Sequence, residues 1–158
     1  MIIKNFYSKN QRGFSLIEMM VVVAILGLIV LGLVTFFTGG TKSWVAGQSQ
    51  LEAQRNARQA MDRMVREIRE GNSIASGSNT SITINYLASF EKSPVTYRLS
   101  GTTISRDGNP LINNVKTLNF TYPDVSKVHI LLEVDVDGDD RPDITLNTDV
   151  NLRNYGLQ

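Results

Sequence analysis

From Phe14 to Phe37 every position is apolar except Ser15, Glu18, Gly27, Gly32 and Thr35. A stretch with no polar face cannot lie on a water-exposed surface, so it predicts a helix immersed in lipid or among other apolar helices. Its 24 residues would span roughly 36 Å at the helical rise. That exceeds the bilayer core of about 30 Å. The pattern then changes without stopping: Ala53, Ala57, Ala60, Met61, Met64, Val65 and Ile68 recur at steps of three and four, which is one apolar stripe on a helix. Arg55, Arg58, Asp62, Arg66, Glu67, Arg69 and Glu70 fill the other positions, and Asp62 precedes Arg66 in the favourable i,i+4 order. Gly71 supplies a stop. One helix from Phe14 to Glu70 follows, about 85 Å long, with Gly39-Gly40 as its weak point, each glycine costing about 1 kcal/mol relative to alanine.

Beyond the Ser/Gly/Asn-rich linker 72–80 the apolar period becomes two. Alternation predicts strands over 81–87, 95–99, 102–106, 115–122, 127–136 and 144–150, with Asp107-Gly108-Asn109-Pro110 as a turn. The residues after Gly71 make a marginal independent core, so this sheet should bury one face on the helical stripe. The expected fold class is α+β: a leader over 1–13, an apolar helix over 14–38, an amphipathic extension over 39–71 and an antiparallel β-sheet head over 72–158.

Charge orients the chain. Lys4, Lys9 and Arg12 precede the apolar run with no acid among them, and the next charge after the run is Lys42. This predicts a single pass through the cytoplasmic membrane, N-terminus inside and head outside. The run is too long for an ordinary cleaved secretory signal. Over the whole chain, 16 basic residues meet 15 acidic ones, so nucleic acid is not an expected partner. The five arginines Arg55, Arg58, Arg63, Arg66 and Arg69 face Glu52, Asp62, Glu67 and Glu70, the composition of a solvated helix face. The absence of cysteine removes disulfides, thiol catalysis and cysteine-bound metals. A lone histidine, His129, reads as a strand residue, and no phosphate loop, dinucleotide fingerprint or nucleophile elbow occurs. The chain is not expected to be an enzyme.

Two features carry specific chemistry. Glu18 places a carboxylate in the apolar run, where it costs about 2.5 to 3.5 kcal/mol at a helix centre unless it has a partner or lies at the headgroup level. Asp135, Asp137, Asp139 and Asp143, with the Arg141 carbonyl between the last two, stand at relative positions 1, 3, 5, 9 and 7 of an Asp-rich loop. That spacing lets a loop wrap oxygen ligands around calcium, and it resembles the calcium loops of integrin-type repeats and dockerins. Two positions depart from the pattern: Leu146 stands where a bidentate glutamate would fall, and Asp140 where glycine is usual. The other reading of the segment is a solvated acidic turn between two strands.

The order Gly13-Phe14-Ser15-Leu16-Ile17-Glu18 after a basic leader, followed by an apolar run, an amphipathic extension and a small sheet, resembles the type IV pilins and pseudopilins. The similarity to their class III signal covers about residues 9–40. A further similarity, in 57–71, Asn109-Pro110-Leu111, 115–120 and 150–154, is to minor pilins of the PilW/PulJ type. The resemblance implies cleavage by a prepilin peptidase between Gly13 and Phe14 and N-methylation of Phe14. It also implies that Glu18 pairs with the new amine to set the register of assembly with other pilins or pseudopilins. The product would be a subunit, placed near the tip, of a type IV pilus or of a secretion or competence pseudopilus, in an extracellular or periplasmic filament. A permanently tethered extracellular module that binds calcium or another ligand is the competing reading.

Overall fold

A computed structural model describes residues 13–157. Helix α1 runs unbroken over Leu16–Glu70, passing through Gly39-Gly40 without interruption. Hydroxyls on either side of these glycines bond back to the helix: Thr38 Oγ1 donates to the Val34 carbonyl at 2.9 Å and Ser43 Oγ to the Gly39 carbonyl at 3.1 Å. The chain forms two compact units, one ending at Val45 and one beginning at Ala46.

In the first unit every described residue is exposed. In the second, Ala57, Ala60, Met61, Met64 and Ile68 are buried, the stripe that the three-four spacing predicts. They enter one core with buried residues of seven of the eight strands, and the partly buried Ile74 of the remaining one packs against it. The strands are β1 (Ser73–Ser78), β2 (Ser81–Asn85), β3 (Val95–Ser100), β4 (Thr103–Arg106), β5 (Asn109–Ile112), β6 (Val115–Asp124), β7 (Lys127–Val134) and β8 (Ile144–Asn151). They make two antiparallel meanders, β1-β2-β3-β4-β5 and β6-β7-β8, where the sequence pattern predicts a single sheet of about six strands.

The two additional strands lie at the edges of the five-stranded sheet. β1 occupies the expected linker; its Ser-Ile-Ala-Ser-Gly-Ser has almost no apolar alternation and becomes a strand by pairing with β2. β5 begins inside the expected four-residue turn. Asp107 and Gly108 both take positive φ, 51° and 81°, and Arg106 pairs with Asn109, so two residues close the hairpin in the mirror-type turn that strand twist favours. Pro110 is tolerated because β5 is an edge.

Glu67 ties the helix to this sheet. Its carboxylate accepts from the Tyr97 hydroxyl at 2.6 Å and from Arg106 Nε at 3.1 Å, on β3 and β4, and from Arg63 Nε at 3.3 Å one turn back. Burial pushes the Glu67 pKa up, but the bonds from Tyr97, Arg106 and Arg63 outweigh it and hold the carboxyl below its ordinary value. The i,i+4 ion pair therefore joins Arg63 to Glu67; Asp62 and Arg66 make none among the described residues.

Gly71 ends the helix, for a reason other than left-handed geometry. A side chain there would stand 2.5 Å from Ile84 Cγ2 and 3.0 Å from the Ile68 carbonyl. The last helical carbonyls are capped by the C-terminal tail: the Arg153 N–H donates to the Arg69 carbonyl at 2.8 Å and Asn154 Nδ2 to that of Glu70 at 2.9 Å.

Gly71→Ala should lower the thermal stability of the protein by about 1 to 3 kcal/mol, the cost of forcing an atom into a packed site; an unchanged melt would remove the steric account. Glu67→Gln should cost about 2 kcal/mol at neutral pH, in the range of hydrogen bonds to a charged group. Because the folded-state pKa is depressed, this stabilisation is present above the unfolded value and lost as pH falls through the folded one. Melting curves taken on acidification should accordingly converge for the parent and the Gln variant, and a gap that persists in acid would contradict the assignment.

Candidate functional site

The N-terminal residues that carry the expected processing chemistry precede or open α1. Gly13, Phe14 and Ser15 lie outside the helix, and Phe14 is 85% exposed. Lys4, Lys9 and Arg12 lie outside the described residues. Ser15 stands at the N-cap: its carbonyl accepts the first helical bond, from the Met19 N–H at 3.2 Å, and its own N–H donates to Glu18 Oε2 at 2.9 Å. This is the glutamate arm of a capping box, for which Ser15-Leu16-Ile17-Glu18 is the sequence signature. Glu18 thus has a partner within its own chain while the leader is attached, a role that pattern reading of the apolar run passes over. Its position in the first turn also suits the helix dipole.

Every residue from Gly13 to Glu52 is exposed. Phe36, Phe37, Trp44 and Val45, with Gly40 and Thr41 between them, line an open apolar groove of about 360 Å³ along this stretch. The helix is long and apolar enough to cross a membrane.

In the β7–β8 connection, the carboxylates of Asp135, Asp137 and Asp143 converge, with one oxygen of each within 4.8 Å of the others. Asp139 is not brought into this group; its Oδ1 accepts the Arg141 N–H at 2.8 Å. The loop is wound by its own acids. Asp135 accepts the N–H groups of Gly138 at 2.7 Å and Asp140 at 3.0 Å, and Asp143 accepts that of Val136 at 2.7 Å. Gly138 and Asp140 take positive φ, 78° and 65°. Asp140 therefore adopts the left-handed conformation that glycine usually supplies in such loops, as aspartate can. Its carbonyl and carboxylate are held by Lys116. The donor set, three convergent carboxylates of hard oxygen, fits a calcium-sized cation in part.

His129 does not face this loop. It lies on β7 opposite Asp149 of β8, with Nδ1 2.6 Å from Asp149 Oδ1, and Lys127 Nζ lies 2.8 Å from the other oxygen. Bonds from Lys127 and His129 hold the Asp149 carboxyl below its ordinary value. The arrangement is a cross-strand polar pair on the sheet surface. Of the arginine face, Arg63 is committed to Glu67, whereas Arg66 and Arg69 line a groove with Arg153.

Residues 8–34 match the family described as the prokaryotic N-terminal methylation motif. The match spans the expected scissile bond, Phe14, Glu18 and most of the apolar run, and leaves the head outside it. Comparison with curated proteins and with solved structures gives no match. The chain therefore carries the N-terminal signal of a prepilin-type substrate of a prepilin peptidase, on a pilin-like α+β architecture.

Proposed function

We propose that this protein is a non-catalytic minor prepilin or pseudopilin subunit. A prepilin peptidase cleaves it between Gly13 and Phe14 and methylates the new amine, and the subunit then enters a type IV pilus or a secretion or competence pseudopilus near its tip. Before assembly it is held in the cytoplasmic membrane with the head outside. The observation that carries the reading is the methylation-motif match over residues 8–34, set at the head of a helix whose apolar surface is exposed throughout. An uncovered apolar helix must exchange lipid for neighbouring helices when it leaves the bilayer. Ala24, Gly27 and Gly32 permit the close approach this requires, and beyond the adjoining residues and the helix's own backbone no described atom lies within 4 Å of where a side chain would stand at either glycine.

Glu18 serves two partners in turn. In the precursor it accepts the Ser15 N–H. After cleavage an amine is created one turn away, on its own chain or on the next, and a positive charge competes for the same carboxylate. The second reading concerns the Asp-rich loop: Asp135, Asp137 and Asp143 take up calcium, with the Arg141 carbonyl as a further ligand, and so stiffen the β7–β8 hairpin outside the cell. The convergence of those three carboxylates favours it. Without the methylation signal at work, the same features would describe a permanently tethered binding module.

Mass spectrometry of the N-terminus, with and without the cognate peptidase, decides the first reading: a chain beginning at methylated Phe14 is expected only with the enzyme, and Met1 in both samples would refute it. For the loop, calcium should raise the melting temperature, with about 2.7 kcal/mol gained at a hundredfold excess over Kd. Asp137→Ala should abolish that rise, and parent and variant responding alike would leave only the acidic turn.

A further inference from the structure

We propose that the groove at the C-terminal end of α1 receives the acidic β7–β8 loop of a second copy of this chain. Among the described residues, two groups of charge in the head are left largely without ion pairs. Arg66 and Arg69, three residues apart on one face of α1, join Arg153 of the C-terminal tail around an open groove of about 800 Å³. The tail is fixed there by its two bonds to the last helical carbonyls. Among the described residues no carboxylate pairs with any of the three guanidinium groups. Of the two acids lining the groove, Asp62 makes no ion pair and Glu70 is engaged by Lys92 at 2.5 Å. Phe90, 50% exposed, adds an apolar wall.

The opposite imbalance lies in the loop 135–143, where five aspartates meet Arg141. Among the described residues only Asp140 has an ion pair, with Lys116 at 3.1 Å; the others accept backbone N–H groups, which do not neutralise them. Asp137, Asp139 and Asp140 are exposed.

The two groups cannot meet within one head. β8 starts at Ile144, beside the loop, and ends at Asn151, beside the tail, so its eight residues hold the charges roughly 25 Å apart. Two heads set end to end bring loop to groove. Because the surfaces differ, the contact is heterologous: the loop of one copy meets the groove of the other. Arginine is the suitable residue here, since its planar fork matches a carboxylate. The contact is independent of cleavage at Gly13, and calcium at Asp135, Asp137 and Asp143 would leave Asp139 and Asp140 outside the ion's cluster.

The chain has no cysteine, so single introduced thiols report proximity cleanly. Full-length Phe90→Cys and Pro142→Cys proteins, mixed in detergent micelles at low salt with chelator, should form a mixed disulfide about tenfold faster than Ser100→Cys with Pro142→Cys, given the gain in encounter rate from complementary charge. Adding Arg66→Glu and Arg69→Glu to the Phe90→Cys chain should remove the advantage. Adding Asp139→Lys and Asp140→Lys to its partner should restore it, which also shows that the reversed groove is folded. Equal rates for the Phe90→Cys and Ser100→Cys chains overturn the docking, and a rate indifferent to the groove reversal, or not restored by the loop reversal, overturns its electrostatic basis.

Discussion

Ala57, Ala60, Met61, Met64 and Ile68 must be covered by the sheets, and among the described residues the sheets have no other α-helix to cover them. Each large side chain among these contributes about 1.5 to 3 kcal/mol on burial. The head alone is of a size at which a core is marginal. The last turns of α1 are therefore part of the head's interior, and what precedes them is not. Small residues at 57 and 60 bring the helix backbone close to the strands, while Met64 and Ile68, both fully buried, fill the space beyond. Glu67 adds direction to this packing. A stripe of methyl groups can slide or rotate, but a carboxylate bound to Tyr97 and Arg106 on two different strands fixes the helix against β3 and β4.

The same helix is asked to satisfy two solvents. Up to Glu52 its surface is exposed, including Leu16, Ile17, Leu28, Leu31, Phe36 and Phe37, and water is an unfavourable environment for so continuous an apolar surface. The buried stripe of the helix, by contrast, begins only at Ala57. The requirement for an external apolar environment is therefore built into the chain. The methylation motif over residues 8–34 sits at the head of this uncovered run.

Much of this was legible in the pattern of apolar residues. The run 14–37 and the stripe from Ala53 to Ile68 marked one helix, and the alternation in 115–136 and 144–150 marked three strands whose inward residues are buried as spaced. The rest was hidden where a residue's state is decided by a partner. Ser73–Ser78 is a strand because β2 offers it a ladder, and its own side chains give no period. The division into two sheets depends on contacts between segments distant in sequence, such as the Phe120 N–H to the Asn79 carbonyl at 2.8 Å, and no local window contains them. Gly71 reads as a helix stop from its place in the pattern, but its requirement is the nearness of Ile84, which only the packed structure reveals. At the site, Glu18 stood out as an anomaly in an apolar run, while the Ser15-x-x-Glu18 cap that explains its place in the precursor was equally visible and belonged to a different rule. Four aspartates looked equivalent by spacing; the fold gathers three and turns Asp139 to the Arg141 N–H.

The acids of this chain differ less in kind than in what has been placed beside them. Glu67 is surrounded by donors and charge that the fold supplies, so its ionisation stabilises the folded state and its role is finished when folding is finished. Asp149 has its cation on the adjacent strand and is likewise settled. Glu18 has a single backbone N–H from Ser15 as its described partner, enough to start a helix but little to neutralise a carboxylate in an apolar setting. The aspartates of the β7–β8 loop are satisfied as hydrogen-bond acceptors and, apart from Asp140, not compensated in charge among the described residues. A group that is bonded but not neutralised is stable enough to be held in place and still gains from a cation. That condition holds at the N-terminal end of the helix and in the β7–β8 loop, and not within the core. By electrostatics alone, these acids, unlike Glu67 and Asp149, have an interaction left to make.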